Sequence, residues 1–161
     1  MSDKIKIILA RANWCGHCKD FEPIYDLSQI FYKNNKFLKE YNINFENYDM
    51  ADNDIKNKFM LNHFNAMDQI EGYPTILINI KNKENNKYYN IQHTVRDYKI
   101  SNNKEQIENA ALRFLDNISN KIKSLNSDNK ILYTQTGGKN QNELYKKKYL
   151  KYKSKYLNLK N

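Results

Sequence analysis

The sequence has few cysteines, no long apolar run and no leader pattern, and each absence excludes a class of protein. Its two cysteines, three positions apart among 161 residues, cannot form the framework of a disulfide-stapled scaffold. The longest apolar run, Ile7 to Ala10, has four residues, whereas a membrane-spanning helix needs roughly 18. The first residues lack the apolar length and the cleavage pattern of a secretion signal. We therefore expect a cytoplasmic protein without a membrane span, whose cysteines serve local chemistry.

The remaining composition is sufficient for one folded domain with a basic extension. Apolar residues make up 40% of the chain and charged residues 28%, which is compatible with a globular core. The net charge of +9 is unevenly placed: residues 1–128 carry 18 basic and 17 acidic side chains, whereas residues 129–161 carry nine lysines and one acid. Helical periodicity fades from Ser124 towards the pair Gly137-Gly138. We predict a domain at 1–126, a linker at 127–138 and a tail at 139–161.

Hydrophobic periodicity in the domain predicts the order β-α-β-α-β-β-α. Short branched runs predict strands, and apolar spacings of three and four predict helices. A strand-helix-strand half implies parallel pairing, and the last two strands read as an antiparallel hairpin. The prediction is therefore an α/β fold with a mixed four-stranded sheet flanked by helices. The predicted elements are a strand at 5–10, a helix at 15–32, strands at 43–48, 76–80 and 88–95, a helix opened by Asp52, and a last helix from about Ser101-Asn102, with Glu105 placed for a capping box.

The tail combines lysines with a helical aromatic seam. Tyrosines and one leucine recur at spacings of four and three, as in a coiled coil, with lysines on the flanks. This pattern fits self-association, docking to a partner helix, or binding of an acidic polymer such as a nucleic acid. A solvated, partly helical or flexible tail is the alternative. The seam comprises Tyr145, Tyr149, Tyr152, Tyr156 and Leu159.

The pair Cys15 and Cys18 carries the candidate chemistry. A thiol attacks only as the thiolate, so a nucleophilic cysteine needs an environment that favours its anion. Cys15 lies at the predicted junction of strand and helix, where free backbone N–H groups and the helix dipole favour an anion. His17 and Lys19 add donors or positive charge nearby. Cys18, one helical turn later, can form a disulfide with Cys15 or attack a mixed disulfide.

Two neighbours of the cysteines suit a protein substrate. Gly16 allows close approach to the cysteines, and Trp14 supplies a flat apolar wall beside the attacking sulfur. Such a wall would help to dock an extended or unfolded polypeptide.

The segment Trp14-Cys15-Gly16-His17-Cys18-Lys19 resembles the active site of the thioredoxin superfamily, in the CGHC form of protein disulfide isomerase domains. Pro23 falls where that family carries a helix-kinking proline, and Gly72-Tyr73-Pro74-Thr75 resembles its cis-proline segment. The resemblance covers residues 4–118. It implies a thiol-disulfide oxidoreductase that acts on protein thiols and disulfides, with Cys15 as nucleophile, Cys18 as resolving thiol and His17 as tuner. It further implies that Tyr73 and Pro74 form a substrate platform, and that no cofactor is needed besides the cysteine pair.

The sequence departs from that family at three points. The chain begins directly before the active-site strand, so we expect a minimal core similar in layout to glutaredoxins. The family's buried carboxylate falls on Leu9, which predicts slower proton removal from Cys18. The glycines of the final hairpin are absent. The Lys/Tyr-rich end is similar to those of many proteins of giant DNA viruses, which suggests a viral origin and a place in the virion.

Two alternatives stand beside this interpretation. A CxxC pair also suits half of a tetrahedral zinc site, which would need two further ligands, and the chain offers only His17, His63 and His93. We expect no metal for that reason. The other alternative is a non-catalytic structural or interaction protein, virion-associated, that docks through its basic tail and leaves the cysteines idle.

Overall fold

A mixed sheet forms the centre of the first unit of the chain. The computed structural model describes residues 4–81, 86–91 and 103–135, and their side chains between residues 5 and 126. The chain divides into two compact units, Met1–Ile122 and Lys123–Asn161. Four strands of the described residues pair in the order β2-β1-β3-β4, namely β1 (Lys4–Arg11), β2 (Ile43–Asp49), β3 (Thr75–Lys81) and β4 (Asn86–Asn90). β1 is parallel to β2 and antiparallel to β3, and β3 is antiparallel to β4, which confirms the predicted fold class.

Helices α1 (Gly16–Phe31) and α2 (Asn53–Asn62) form where the apolar spacing predicts them. Asp52 begins α2 as predicted, because its carboxylate accepts the N–H groups of Asp54 and Ile55 at 2.9 and 3.1 Å. Pro23 lies inside α1, where it has no N–H to donate to the preceding turn. The bend that we predict at this proline stays a prediction. Short 3-10 segments complete the connections at Tyr32–Asn34, Leu38–Glu40 and Phe64–Gln69.

The two faces of the sheet pack against different helices. On one face the Phe45 ring lies 5.6 Å from the ring of Tyr25 in α1. On the other face the Tyr48 ring lies 5.1 Å from that of Phe59 in α2. Phe45 and Tyr48 are three residues apart on β2, so alternation along the strand puts them on opposite faces. The hydroxyl of Tyr25, fully buried, lies 2.8 Å from the Ile7 carbonyl and 2.6 Å from the Glu46 carbonyl, to which it donates.

Helix α3 (Lys104–Gln135) is longer than the periodicity predicts. It continues past residue 126 into the predicted linker, because no glycine or proline interrupts the chain before Gly137. The prediction that helical structure is lost from Ser124 onwards is therefore wrong for the residues up to Gln135. At its start the Asn103 side chain accepts the N–H of Glu105 at 2.9 Å. The predicted domain boundaries stay predictions, and Ser101, Asn102 and the tail at 139–161 lie outside the described residues.

Strand β4 begins earlier than the sequence predicts. It spans Asn86–Asn90 and not 88–95, and the predicted continuation through His93 and Val95 lies outside the described residues. The Asn79 side chain explains the early start, because its amide donates to the Asn86 side chain at 3.0 Å and to the Lys87 carbonyl at 3.1 Å. These bonds extend the hairpin into a segment that its polar sequence indicates as a loop.

A buried polar cluster on the α2 face is the main feature that the sequence did not indicate. His63, 2% exposed, follows α2 and uses both ring nitrogens: Nε2 lies 2.6 Å from Glu46 Oε2 and Nδ1 lies 2.9 Å from the Tyr88 hydroxyl. Tyr48 donates to the same Glu46 oxygen, and Lys6 pairs with the other at 2.8 Å. Burial lowers the pKa of His63, and the Glu46 carboxylate offsets only part of that effect. The folded chain therefore favours a neutral His63.

This cluster predicts a loss of stability in mild acid. The unfolded chain takes up a proton on His63 near pH 6.5, whereas the folded chain resists that proton until a lower pH. The contribution is fully present above about pH 6.5, and the free energy of unfolding falls as the pH drops below that value. Denaturant unfolding at pH 7.5 and 5.0 measures the difference. We expect the free energy of unfolding to fall less between pH 7.5 and 5.0 in His63→Gln than in the parent protein, because glutamine takes up no proton.

A matched control is His17→Gln, because His17 is exposed in the first turn of α1. That variant should keep the acid-dependent loss of the parent protein. An equal pH dependence in the parent and in His63→Gln would contradict the prediction.

Candidate active site

Cys15 lies at the N-terminus of α1, as the spacing predicts. It is the N-cap residue, with extended backbone (φ −85°, ψ 117°), and its N–H donates to the Ala12 carbonyl at 3.0 Å. Its Sγ accepts the N–H of Cys18 at 3.4 Å. The sulfur thus takes the role that a Ser or Asp oxygen usually has at a helix start. Negative charge on the sulfur is stabilised by this N–H and by the helix dipole.

Cys18 is in a different environment, although it is only one helical turn away. It is 1% exposed, against 7% for Cys15, and it forms a cluster with Ala12 and Cys15 against which Tyr73 packs. Burial first, and then the hydrogen bond with Cys15, raise the pKa of Cys18 to about 12, against the opposing effects of the Ala12 backbone and the Arg11 charge. Cys18 is therefore a neutral thiol at neutral pH, and the two cysteines are chemically unequal.

The segment before β3 approaches the sulfur of Cys15. The Tyr73-Pro74 peptide bond is cis, as the resemblance implies. The Cys15 thiol donates to the Tyr73 carbonyl at 3.6 Å, and the Thr75 hydroxyl donates to the Gly72 carbonyl at 2.6 Å, which closes the turn. The sequence-predicted residues Cys15, Cys18 and Tyr73 are thus brought together.

An exposed aromatic surface lies beside the sulfurs. Trp14 is 70% exposed, and its ring meets that of Tyr73 edge-on with centroids 6.0 Å apart. A side chain at Gly16 would have open space, since no atom lies within 4 Å of the position of an added Cβ. The folded chain itself therefore does not require glycine there. Gly16 follows Cys15 directly in the sequence, so this open space adjoins the Cys15 residue.

His17, Lys19 and Pro23 lie on the exposed side of α1. Within the described part of the chain, the His17 ring makes no hydrogen bond to either sulfur. His17 is close to the two cysteines because it lies between them in the sequence. The tuning role that the resemblance implies for it stays a prediction.

The sequence did not single out the residues that hold the loop before Cys15. The Asp49 carboxylate accepts the N–H groups of Asn13 and Ala51, both at 3.1 Å. The Arg11 carbonyl accepts the N–H of Met50 at 2.7 Å, and its side chain bonds Asn47 and Glu22. These residues lie at the carboxyl ends of two parallel strands, which meet at one edge of a sheet. That placement is the signal that could have identified them.

The zinc alternative finds no site among residues 4–81, 86–91 and 103–135. These stretches contain no group of three His, Cys, Asp or Glu side chains that could hold a metal ion. His63, one of the possible ligands, has its ring nitrogens engaged by Glu46 and Tyr88. In the same described stretches, no helix has both the length and the apolar character to cross a membrane.

Comparison with known proteins identifies the family. The chain is 32% identical to a Protein disulfide-isomerase of Arthroderma benhamiae (strain ATCC MYA-4681 / CBS 112371) over 96 residues, which are 59% of this chain and 16% of that protein. It is 24% identical to the first thioredoxin domain of mouse Protein disulfide-isomerase A4, whose solution structure superposes with a TM-score of 0.38 and matches 71% of this chain and 63% of that chain. The family model described as Thioredoxin matches residues 1–109. Because this match covers more than half of the chain, the chain belongs to the thioredoxin family.

Proposed function

We propose that the protein is a thiol-disulfide oxidoreductase in which Cys15 is the nucleophile and Cys18 the resolving thiol. The observation that carries the proposal is the unequal pair: Cys15 receives an N–H at the helix start, whereas Cys18 is buried and neutral. Family membership and the similarity to a protein disulfide-isomerase support it. The CGHC form of the pair is a feature of the sequence that favours isomerase or oxidase work.

The reaction needs no group besides the two sulfurs and the substrate. The Cys15 thiolate attacks a substrate disulfide, one substrate sulfur leaves as a thiolate, and a mixed disulfide forms. Cys18 then gives up its proton and attacks the Cys15 sulfur, and the second substrate sulfur leaves with the electron pair. The substrate is reduced and the Cys15–Cys18 pair is oxidised. Run in reverse, the same steps form a substrate disulfide.

The residues around the pair suit an extended polypeptide. Trp14 offers an exposed apolar ring, and Tyr73 and Pro74 offer the backbone beside the sulfur. A donor at His17 would stabilise the Cys15 thiolate and therefore the reduced form, which makes the pair a stronger oxidant. Lys19 adds a positive charge one residue beyond Cys18. These roles are part of the proposal.

The basic tail would supply a docking function. Its eight lysines against one acid over residues 139–161 favour an acidic polymer or self-association. We further propose that the protein acts in the cytoplasm or in a virion. The seam residues lie outside the described part of the chain. The lysine charge and the spacing of the seam in the sequence support this docking function. The seam comprises Tyr145, Tyr149, Tyr152, Tyr156 and Leu159.

Trapping of mixed disulfides tests the two cysteine roles. In Cys18→Ser, Cys15 can attack but nothing resolves the adduct, so we expect a persistent mixed disulfide with a disulfide-containing peptide. In Cys15→Ser, the remaining thiol is buried and neutral, so the adduct should be at least about tenfold scarcer. Mass spectrometry after acid quenching measures both adducts. The double serine variant is the control, and equal trapping by the two single variants would contradict the assignment.

Gly16→Ala tests whether the open space beside Cys15 is used by substrate. The free energy of unfolding should stay within about 1 kcal/mol of the parent, because the added methyl meets no atom and alanine favours a helix. Insulin reduction should slow several-fold, because the methyl narrows the approach to Cys15. Reduction of a small disulfide such as hydroxyethyl disulfide is the control and should change less. Equal rates of insulin reduction in variant and parent would show that polypeptides do not use this space.

A further inference from the structure

Arg11 is the last residue of β1, four residues before Cys15, and its charge has no role in the reaction proposed above. Its Nε donates to Asn47 Oδ1 at 2.8 Å and lies 3.3 Å from Glu22 Oε1. The side chain is 22% exposed, so two neighbours from β2 and α1 fix the cation against the protein surface. A fixed cation has a defined electrostatic effect on the groups beside it.

These contacts place Arg11 near the buried cysteine. Glu22 is four residues after Cys18 on α1, and residues at this spacing lie on the same side of a helix. Ala12, which follows Arg11 directly, packs in one cluster with Cys15 and Cys18. The guanidinium, held by Glu22, therefore lies along the side of α1 that carries the Cys18 thiol.

Cys18 needs help to ionise when it resolves a mixed disulfide. It is 1% exposed, and its pKa is raised to about 12, chiefly by burial, even though the positive charge of Arg11 acts in the opposite direction. Strand β1, with the sequence KIKIILAR, carries no carboxylate that could accept the proton. Its residues between Lys6 and Arg11 are all apolar. Of the charged residues of β1, Arg11 is the one at the end of the strand that leads to the cysteines.

We propose that Arg11 is a positioning residue for the resolving step, acting through Cys18: its fixed positive charge stabilises the thiolate that attacks Cys15. This inference rests on the proposed function. In the step, Cys18 gives its proton to water and a Cys18–Cys15 bond forms. The bond from Cys15 to the substrate sulfur breaks, and the electron pair leaves with that sulfur, which water protonates. The substrate disulfide is the oxidant.

Two carboxylates on α1 face the same cation. Glu22 pairs with Arg11 directly. The pKa of Asp26 is raised overall, by burial and by the Glu22 charge, and the Arg11 charge offsets part of that rise. Glu22 therefore offsets part of the charge that Arg11 presents to Cys18. Removal of the Glu22 charge should act on Cys18 in the direction opposite to removal of the Arg11 charge.

The test follows the full-length reduced protein with glutathione disulfide, which is both the oxidant and the probe. Rapid acid quenching and mass spectrometry separate formation of the Cys15–glutathione adduct from its resolution by Cys18. We expect Arg11→Gln to slow resolution by roughly three- to tenfold at pH 7, since a higher pKa lowers the thiolate fraction while nucleophilicity partly compensates. The pH profile of its resolution rate should move to higher pH. Arg11→Lys should restore the rate to within about threefold of the parent, and Glu22→Gln should accelerate resolution.

The control is Lys58→Gln, which removes a positive charge from an exposed position on α2 and should leave both steps unchanged. Parental resolution in Arg11→Gln would overturn the inference, and so would a rate lowered equally by Arg11→Lys and Arg11→Gln with an unmoved pH profile. Slower resolution in Glu22→Gln would also overturn it. These results leave adduct formation, and with it the proposed function, intact. Failure of the parent protein to form any adduct at Cys15 would instead overturn the proposed function.

Discussion

The site depends on one constraint: helix α1 begins directly after strand β1, with Cys15 as its N-cap. The first N–H groups of a helix have no partner within the helix, and the Cys15 sulfur accepts one of them from Cys18. The same bond fixes the spacing of the pair, because the donor is the backbone of the second cysteine. A strand-to-helix junction thus holds Cys15, the nucleophile that we propose, at a helix N-terminus and places Cys18 one turn away.

Burial then makes two identical side chains chemically different. Cys15 lies at the rim, beside the cis Tyr73-Pro74 bond and the exposed Trp14 ring. Cys18 lies one turn deeper, where desolvation opposes its thiolate. Both thiols are buried, but Cys15 is 7% exposed and Cys18 only 1%, so Cys15 is the thiol that we propose to meet the substrate first. The residues of β1 from Ile7 to Ala10, which precede the site in the chain, are all buried and apolar.

Local patterns in the sequence predicted most of the fold and the centre of the site. Apolar spacing located α1 and α2, the Asp52 cap has a local cause, and the six residues from Trp14 to Lys19 predicted the chemistry that we propose. The sequence did not predict the contacts that depend on strand register. His63 meets Glu46 and Tyr88 only because β2, the end of α2 and β4 converge on one face. Arg11 likewise meets Glu22 only after β1 and α1 pack together.

The central claim is that Cys15 and Cys18 form a reversible redox pair. Its most direct test is equilibration of the protein with glutathione buffers of increasing oxidation, followed by acid quenching, alkylation and mass spectrometry. The account predicts one two-electron transition, in which a form lacking two hydrogens and closed to alkylation at both cysteines replaces the dithiol form. Cys18→Ser should accumulate a glutathione adduct instead. If the parent protein retained two alkylatable thiols, or carried only glutathione adducts at every buffer ratio, the claim would be contradicted.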